Sequence, residues 1–195
     1  MNEYIFLGDS ITDCDHIYTP DGLGDGYVKM ISQSLPASDS CVNLGYDGFT
    51  ISALNRMWNR KSHSLKPKCI SILIGINDIA VIKNTGLDFH SARKDFQANY
   101  ERLIENIRQK YACPIILMET FIFPRPAEYI TWEPAVHEMN TCIKAIADKY
   151  KIYYLPLWDS LKEPSLSTDG IHLTEAGQRI LADLWIKFVR DIEII

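Results

Sequence analysis

The sequence predicts an α/β domain built on a doubly wound parallel sheet, and three observations predict it. Short, almost continuous apolar runs of strand length alternate with longer amphipathic stretches along all 195 residues. No internal repeat, low-complexity tract or linker interrupts them, so residues 1–195 read as one domain. Three of the runs lead directly into polar, glycine-bearing motifs, which puts those motifs on one edge of the sheet.

In order, the first strand is expected at 4–7 (Tyr-Ile-Phe-Leu) and a helix at 27–34. A second strand at 41–44 and a helix at 51–63 follow, then a third strand at 69–74. The helix expected at 89–111 carries Phe89, Phe96, Tyr100, Leu103, Ile104 and Ile107 at three- and four-residue intervals, with Arg93, Lys94, Glu101 and Arg108 between them. The fourth strand is expected at 114–119. A helix at 132–150 has Pro134 near its start, where a missing backbone N–H costs least. A fifth strand at 152–157 precedes a last helix at 175–192, for which Thr174 is the N-cap candidate. Such a βαβ alternation calls for right-handed crossovers with helices on both faces. Two long connections, 12–26 and 120–131, stand out, because long loops in a compact domain are more often functional than neutral.

A net charge of −5, with lysines and arginines scattered, excludes the basic stripe of a nucleic-acid-binding protein. The apolar run behind Met1-Asn2-Glu3 ends at Gly8, too short for a signal peptide or a membrane span, so no stable membrane association is expected. Cys14, Cys41, Cys69, Cys113 and Cys142 are odd in number and form no C-x-x-C pair. A reduced, cytoplasmic protein is the expectation. Oligomeric state is not readable, since the apolar tail at 192–195 suits internal docking and self-association alike.

The chemistry is concentrated in four segments. Gly8-Asp9-Ser10-Ile11-Thr12 puts a serine at the end of the first strand, and a serine hydroxyl is a poor nucleophile until a base activates it. Asp169-Gly170-Ile171-His172 lies in the turn before the last helix. There the carboxylate can fold back onto the imidazole, fix its tautomer and leave the second ring nitrogen free to take a proton. Asn43-Leu44-Gly45-Tyr46-Asp47-Gly48 and Gly75-Ile76-Asn77-Asp78 follow the second and third strands and offer backbone and amide donors for an oxyanion.

Together these four segments resemble, in order and spacing, the four blocks of the SGNH hydrolases, also called GDSL-type lipases and acylhydrolases; the match runs from residue 8 to residue 172. The resemblance implies a flavodoxin-like three-layer α/β/α sandwich with a five-stranded parallel sheet, and no cofactor or metal. It implies Ser10 as nucleophile, His172 as general base and then acid, and Asp169 as its orienter. The oxyanion hole would consist of the Ser10 and Gly45 backbone N–H groups and the Asn77 side chain. The chain departs from many relatives in carrying Cys14 where they have glycine, and Tyr46-Asp47 where small residues are common.

Simpler roles stand beside these. Ser10 alone would be read as a helix cap, and it is the presence of Asp169 and His172 that favours the nucleophile. Asp9 is expected to brace its turn and Asp78 to be structural. Asp13, Asp15, His16, Asp21 and Asp25 lack any metal-ligand spacing and read as a solvated polar loop. His63, His90 and His137 read as surface or packing residues. Some of Tyr46, Phe49, Phe121, Phe123, Tyr129 and Trp132 are expected to line an acyl or alcohol pocket. The expected activity is serine esterase chemistry on small to medium acyl esters through an acyl-enzyme. The alternatives are a carbohydrate O-acetylesterase or thioesterase of the same superfamily, and a non-catalytic binding module.

Overall fold

The computed structural model describes residues 2–61 and 65–195. Five strands form one parallel sheet in the order β2-β1-β3-β4-β5: β1 (Asn2–Gly8), β2 (Asp39–Gly45), β3 (Pro67–Leu73), β4 (Ile115–Met118) and β5 (Tyr153–Leu155). This is the flavodoxin-like order. Its direction reverses at β1, flanked by β2 and β3, and ligands bind outside the carboxyl ends of strands at such a switch point. Tyr4, Ile5, Phe6 and Leu7 are all fully buried, because helices cover both faces of the central strand.

On one face, α2 (Tyr27–Ser34) packs beside α7 (Glu175–Asp191). The other face carries α3 (Ile51–Lys61), α4 (Ile76–Thr85), α5 (Phe89–Lys110) and α6 (Glu133–Tyr150). Trp185 ties α7 to the middle of the sheet. Its ring meets Tyr4 edge-on at 5.6 Å and Phe6 at 5.1 Å, and its Nε1 donates to Ser71 Oγ on β3 at 2.8 Å.

Every expected strand is present, with ends shifted by up to two residues. The helix expected at 51–63 is described to Lys61; the rest of it, with His63, lies outside the described residues. Two helices are additional. The four-residue α1 (Ser10–Asp13) turns the chain directly after β1. α4 is ten residues between Gly75 (φ +139°) and Gly86 (φ +68°). Its first turn holds Asn77 and Asp78, whose residue types at a strand end suggest a simple turn. Pro134 sits in the first turn of α6, as expected. The 120–131 connection ends in a 3-10 turn, Ala127–Trp132. Among the described residues, no helix is long and apolar enough to cross a membrane.

Candidate active site

The turn after β1 is built to present Ser10. Gly8 is needed because a Cβ there would run into the Thr12 side chain and the Leu73 carbonyl. Asp9 caps α1, accepting the Ile11 N–H on Oδ1 at 3.1 Å. Only 1% exposed, its carboxyl is pushed up to about 7 by burial, against the opposing pull of the Ile11 N–H and of His172. α1 ends at Cys14, in the left-handed region at φ +42°. That conformation accounts for the glycine that many relatives carry there.

Asn43, a buried amide inside β2, locks this turn from below. Its Nδ2 donates to the Thr12 carbonyl at 2.7 Å and the Leu23 carbonyl at 2.8 Å, and its Oδ1 accepts the Gly45 N–H at 2.9 Å. The sequence does hold the signal: an asparagine within an apolar strand run must find partners.

The Gly45 expectation needs correcting on this point. Its N–H is taken by Asn43, and the residue is buried so tightly that a Cβ would collide with the Thr12–Asp13 backbone. Gly45 allows α1 to approach β2 closely and has no donor free for a substrate. Three residues on, Gly48 is exposed, has φ +68°, and its N–H makes no hydrogen bond among the described residues. The loop around it is held at two points. Asp13 Oδ2 accepts the Asp47 N–H at 3.0 Å, and Asn77 Nδ2 donates to the Phe49 carbonyl at 3.0 Å. An amide nitrogen has two hydrogens, so Asn77 keeps a second donor. Asp13 also accepts from the backbone N–H of His16 and pairs with its Nδ1 at 2.6 Å, while the His16 ring packs edge-on against Tyr46.

From the far end of the chain, a tight turn brings in the histidine. Asp169 Oδ1 accepts the N–H groups of Ile171 (3.0 Å) and His172 (2.8 Å), and its Oδ2 meets His172 Nδ1 at 2.6 Å. His172 Nε2 lies 2.8 Å from Ser10 Oγ. Burial pulls the Asp169 carboxyl up, but the hydrogen bonds from His172 and Ile171 outweigh it and hold it below its usual range. Gly170 (φ +97°) has no room for a Cβ, which would strike the Arg125 carbonyl and the Tyr129 ring. Thr174 caps α7 through the Gly177 N–H, fixing the turn to the helix. Gln178 of α7 reaches the nucleophile side, accepting the Tyr27 N–H at 2.9 Å and lying 3.2 Å from Cys14 Sγ.

Ser10 and His172 open onto a cavity of about 300 Å³ whose other lining residues are Asp13, Cys14, Asp15 and Asp47. None of the six candidate aromatics lines it. Phe121 and Phe123 are core residues with no exposed surface, Tyr129 packs at a tilt against Trp132, and Tyr46 with Phe49 borders a separate groove. Cys14 is no rival nucleophile, since burial first, then Asp13, Asp15 and Asp25, push its thiol up to about 12. Elsewhere in the polar loop, Asp21 pairs with Lys29 and accepts the Leu23 N–H. His90 is exposed, and His137 packs at a tilt against Trp158. Asp78 accepts the Ile51 N–H at 3.0 Å, joining the starts of α4 and α3.

Residues 6–180 match the model of the GDSL-like lipase/acylhydrolase family. The chain belongs to that family. As a member it is a carboxylic ester hydrolase. It is 28% identical over 204 residues to the acetylxylan esterase of Geobacillus stearothermophilus, covering 94% of this chain and 91% of that one. The fold superposes on a catalytic mutant of the acetylxylan esterase Axe2 from the same organism with a TM-score of 0.81, at 24% identity over 95% of this chain and 93% of the other. It superposes on a GDSL-like protein of Parabacteroides merdae with a TM-score of 0.84, at 22% identity over 95% and 94% of the two chains. Three catalytic mutants of Axe2 replace a serine, an aspartate and a histidine, the last two three residues apart.

Proposed function

We propose that this hydrolase is an acetylesterase for O-acetylated carbohydrate, working through Ser10, His172 and Asp169. The observation that carries the substrate class is the cavity at Ser10. Apart from Cys14, its lining side chains are polar or acidic, and none is an aliphatic or aromatic residue that would hold a long acyl chain. A small acyl group on a hydroxyl-rich alcohol suits such a lining, and an aliphatic tail does not. The likeness to an acetylxylan esterase over nearly the whole chain supports the same choice over general small- to medium-chain esters.

In this reading Ser10 Oγ attacks the acetyl carbonyl while His172 Nε2 accepts its proton. Asp169, already ionised and bonded to Nδ1, stabilises the imidazolium. The oxyanion is received by the Ser10 N–H, unpaired at the start of α1, by the Gly48 N–H and by the second Asn77 hydrogen. His172 then returns the proton to the leaving sugar oxygen. Water, deprotonated by the same nitrogen, releases acetate from the acyl-enzyme. The five unpaired cysteines support a reducing, cytoplasmic setting.

The test is a nitrophenyl ester series from acetyl to octanoyl, together with an acetylated xylooligosaccharide. The expected result is a steep fall in kcat/KM beyond short acyl groups, with acetate released from the sugar. A maximum at octanoyl overturns the substrate class. For the mechanism, Ser10→Ala is expected to lower kcat by about 10⁴-fold or more in a protein with unchanged circular dichroism; retained hydrolysis overturns it.

A further inference from the structure

Beyond the catalytic cavity, the same loop borders a second depression. Tyr46 and Phe49, stacked at 5.0 Å and 29°, form one wall of a groove of about 310 Å³, with Ala53, Arg56, Met57 and Arg60 of α3 forming the rest. Asp47, between those two aromatics in sequence, lines the cavity at Ser10, so one loop separates groove from cavity. α3 starts at the active-site edge of the sheet and runs away from it. At about 1.5 Å per residue, Arg56 lies about 7 Å and Arg60 about 13 Å along the helix from Ile51. The groove therefore descends the flank of the molecule, a shape suited to an oligosaccharide chain and far from the acetyl group.

The charges along this path are sorted. Around Ser10 stand Asp13, Asp15 and Asp47; along α3 stand two arginines. Arg56 and Arg60 are four residues apart on one helix face, an arrangement in which like charges repel. Arg56 donates to the uncharged Ser52 Oγ at 2.9 Å, and among the described residues neither arginine forms an ion pair. Repulsion between two cations on a chain of net charge −5 is relieved by an anion lying between them, and the guanidinium fork matches a carboxylate in particular.

We infer that Arg56 and Arg60, with the Tyr46–Phe49 stack, form a distal subsite for a carboxylate-bearing sugar of the acetylated substrate. The acids at Ser10 repel such a sugar from the reacting position, while the arginines hold it farther along the oligosaccharide. Sugar rings lie against the aromatic stack, the uronate carboxylate pairs with the guanidinium groups, and the acetyl ester reaches Ser10. This inference rests on the acetylesterase reading and specifies its substrate as acidic oligosaccharide.

The test compares two acetylated xylooligosaccharides, one neutral and one with a uronic acid branch, with nitrophenyl acetate as a third substrate. The wild-type enzyme is expected to favour the acidic substrate by about tenfold in kcat/KM, chiefly through KM, with the preference shrinking as salt is raised. The double variant Arg56→Gln/Arg60→Gln is expected to lose that preference while keeping its rates on the neutral sugar and nitrophenyl acetate within about twofold. Equal wild-type rates on the two sugars, or a variant that loses both equally, overturn the subsite and leave the acetylesterase reading intact. Hydrolysis of nitrophenyl acetate but of neither sugar overturns both.

Discussion

Asp169 spends its carboxylate entirely within its own turn, on two backbone N–H groups and one imidazole, and so the histidine is aimed before any substrate arrives. Asp169→Asn is expected to lower kcat by about 10⁴-fold, because an amide in that place favours the wrong tautomer. The Asp169 carboxyl is held below its usual range, so it stays ionised while His172 takes up a proton. The acid limb of log kcat/KM against pH should then have a slope of one, and a slope of two would mean that a second group must ionise. Gly45→Ala and Gly48→Ala separate packing from donor roles. The first forces a Cβ into the Thr12–Asp13 backbone and is expected to lower Tm sharply. The second meets open space and keeps its N–H but strains alanine at φ +68°, so it should cost only about 1 kcal/mol of stability, with kcat falling as relief of that strain turns the N–H away from the oxyanion. That Ser10, His172 and Asp169 would meet was legible in sequence because each is a distinct residue type within a recognisable motif. The fate of a backbone N–H is written in no side chain, and Gly45 shows the consequence: the partner that takes its N–H, Asn43, lies two residues away and acts through a fold-dependent contact.

Secondary-structure elements meet the site through short polar contacts at their ends, and two of these are acids in dry surroundings. Asp78 joins α4 to α3 through the Ile51 N–H, and its carboxyl is pushed up to about 7, chiefly by burial. A carboxyl raised on folding binds more protons in the folded than in the unfolded state. Its stabilising contribution is full below its ordinary value of 3.8 and is lost as pH rises towards 7. Asp78→Asn is therefore expected to flatten the dependence of Tm on pH between about 4 and 7, measured by thermal melts across that range; an unchanged slope would assign the dependence to Asp9. Long elements such as α5 announce themselves through a repeating apolar face. α4 does not: it is short, framed by glycines and opened by Asn77-Asp78, so its local signals match those of a turn, and its helical state is decided by docking against α5 and α6. The reach of β1 and β2 beyond their apolar cores has the same origin, since ladder pairing such as Asn2 with Asp39 carries polar residues into the strand.

At the scale of the molecule, α7 closes the core and, through its N-cap Thr174, anchors the turn that holds His172. Trp185 fills the space between α7 and the sheet, so Trp185→Ala should cost about 3–5 kcal/mol, read from urea unfolding. The fold class was legible as a whole because a parallel sheet covered on both faces leaves near-continuous apolar runs. Strand order was not, since it depends on contacts among residues far apart in sequence. That distance has a consequence for how the enzyme comes into being and fails. Ser10 and His172, its proposed base, are separated by 162 positions and joined by one 2.8 Å contact. On the proposed mechanism, a chain that has folded around Ser10 stays inert until the turn at 169–172 is in place and α7 docks. By the same logic, fraying of the half-exposed turn at Asp169–His172 silences the enzyme while β1–β5 remain paired, so in a denaturant titration hydrolysis should vanish before the sheet's amide protons lose their protection from exchange.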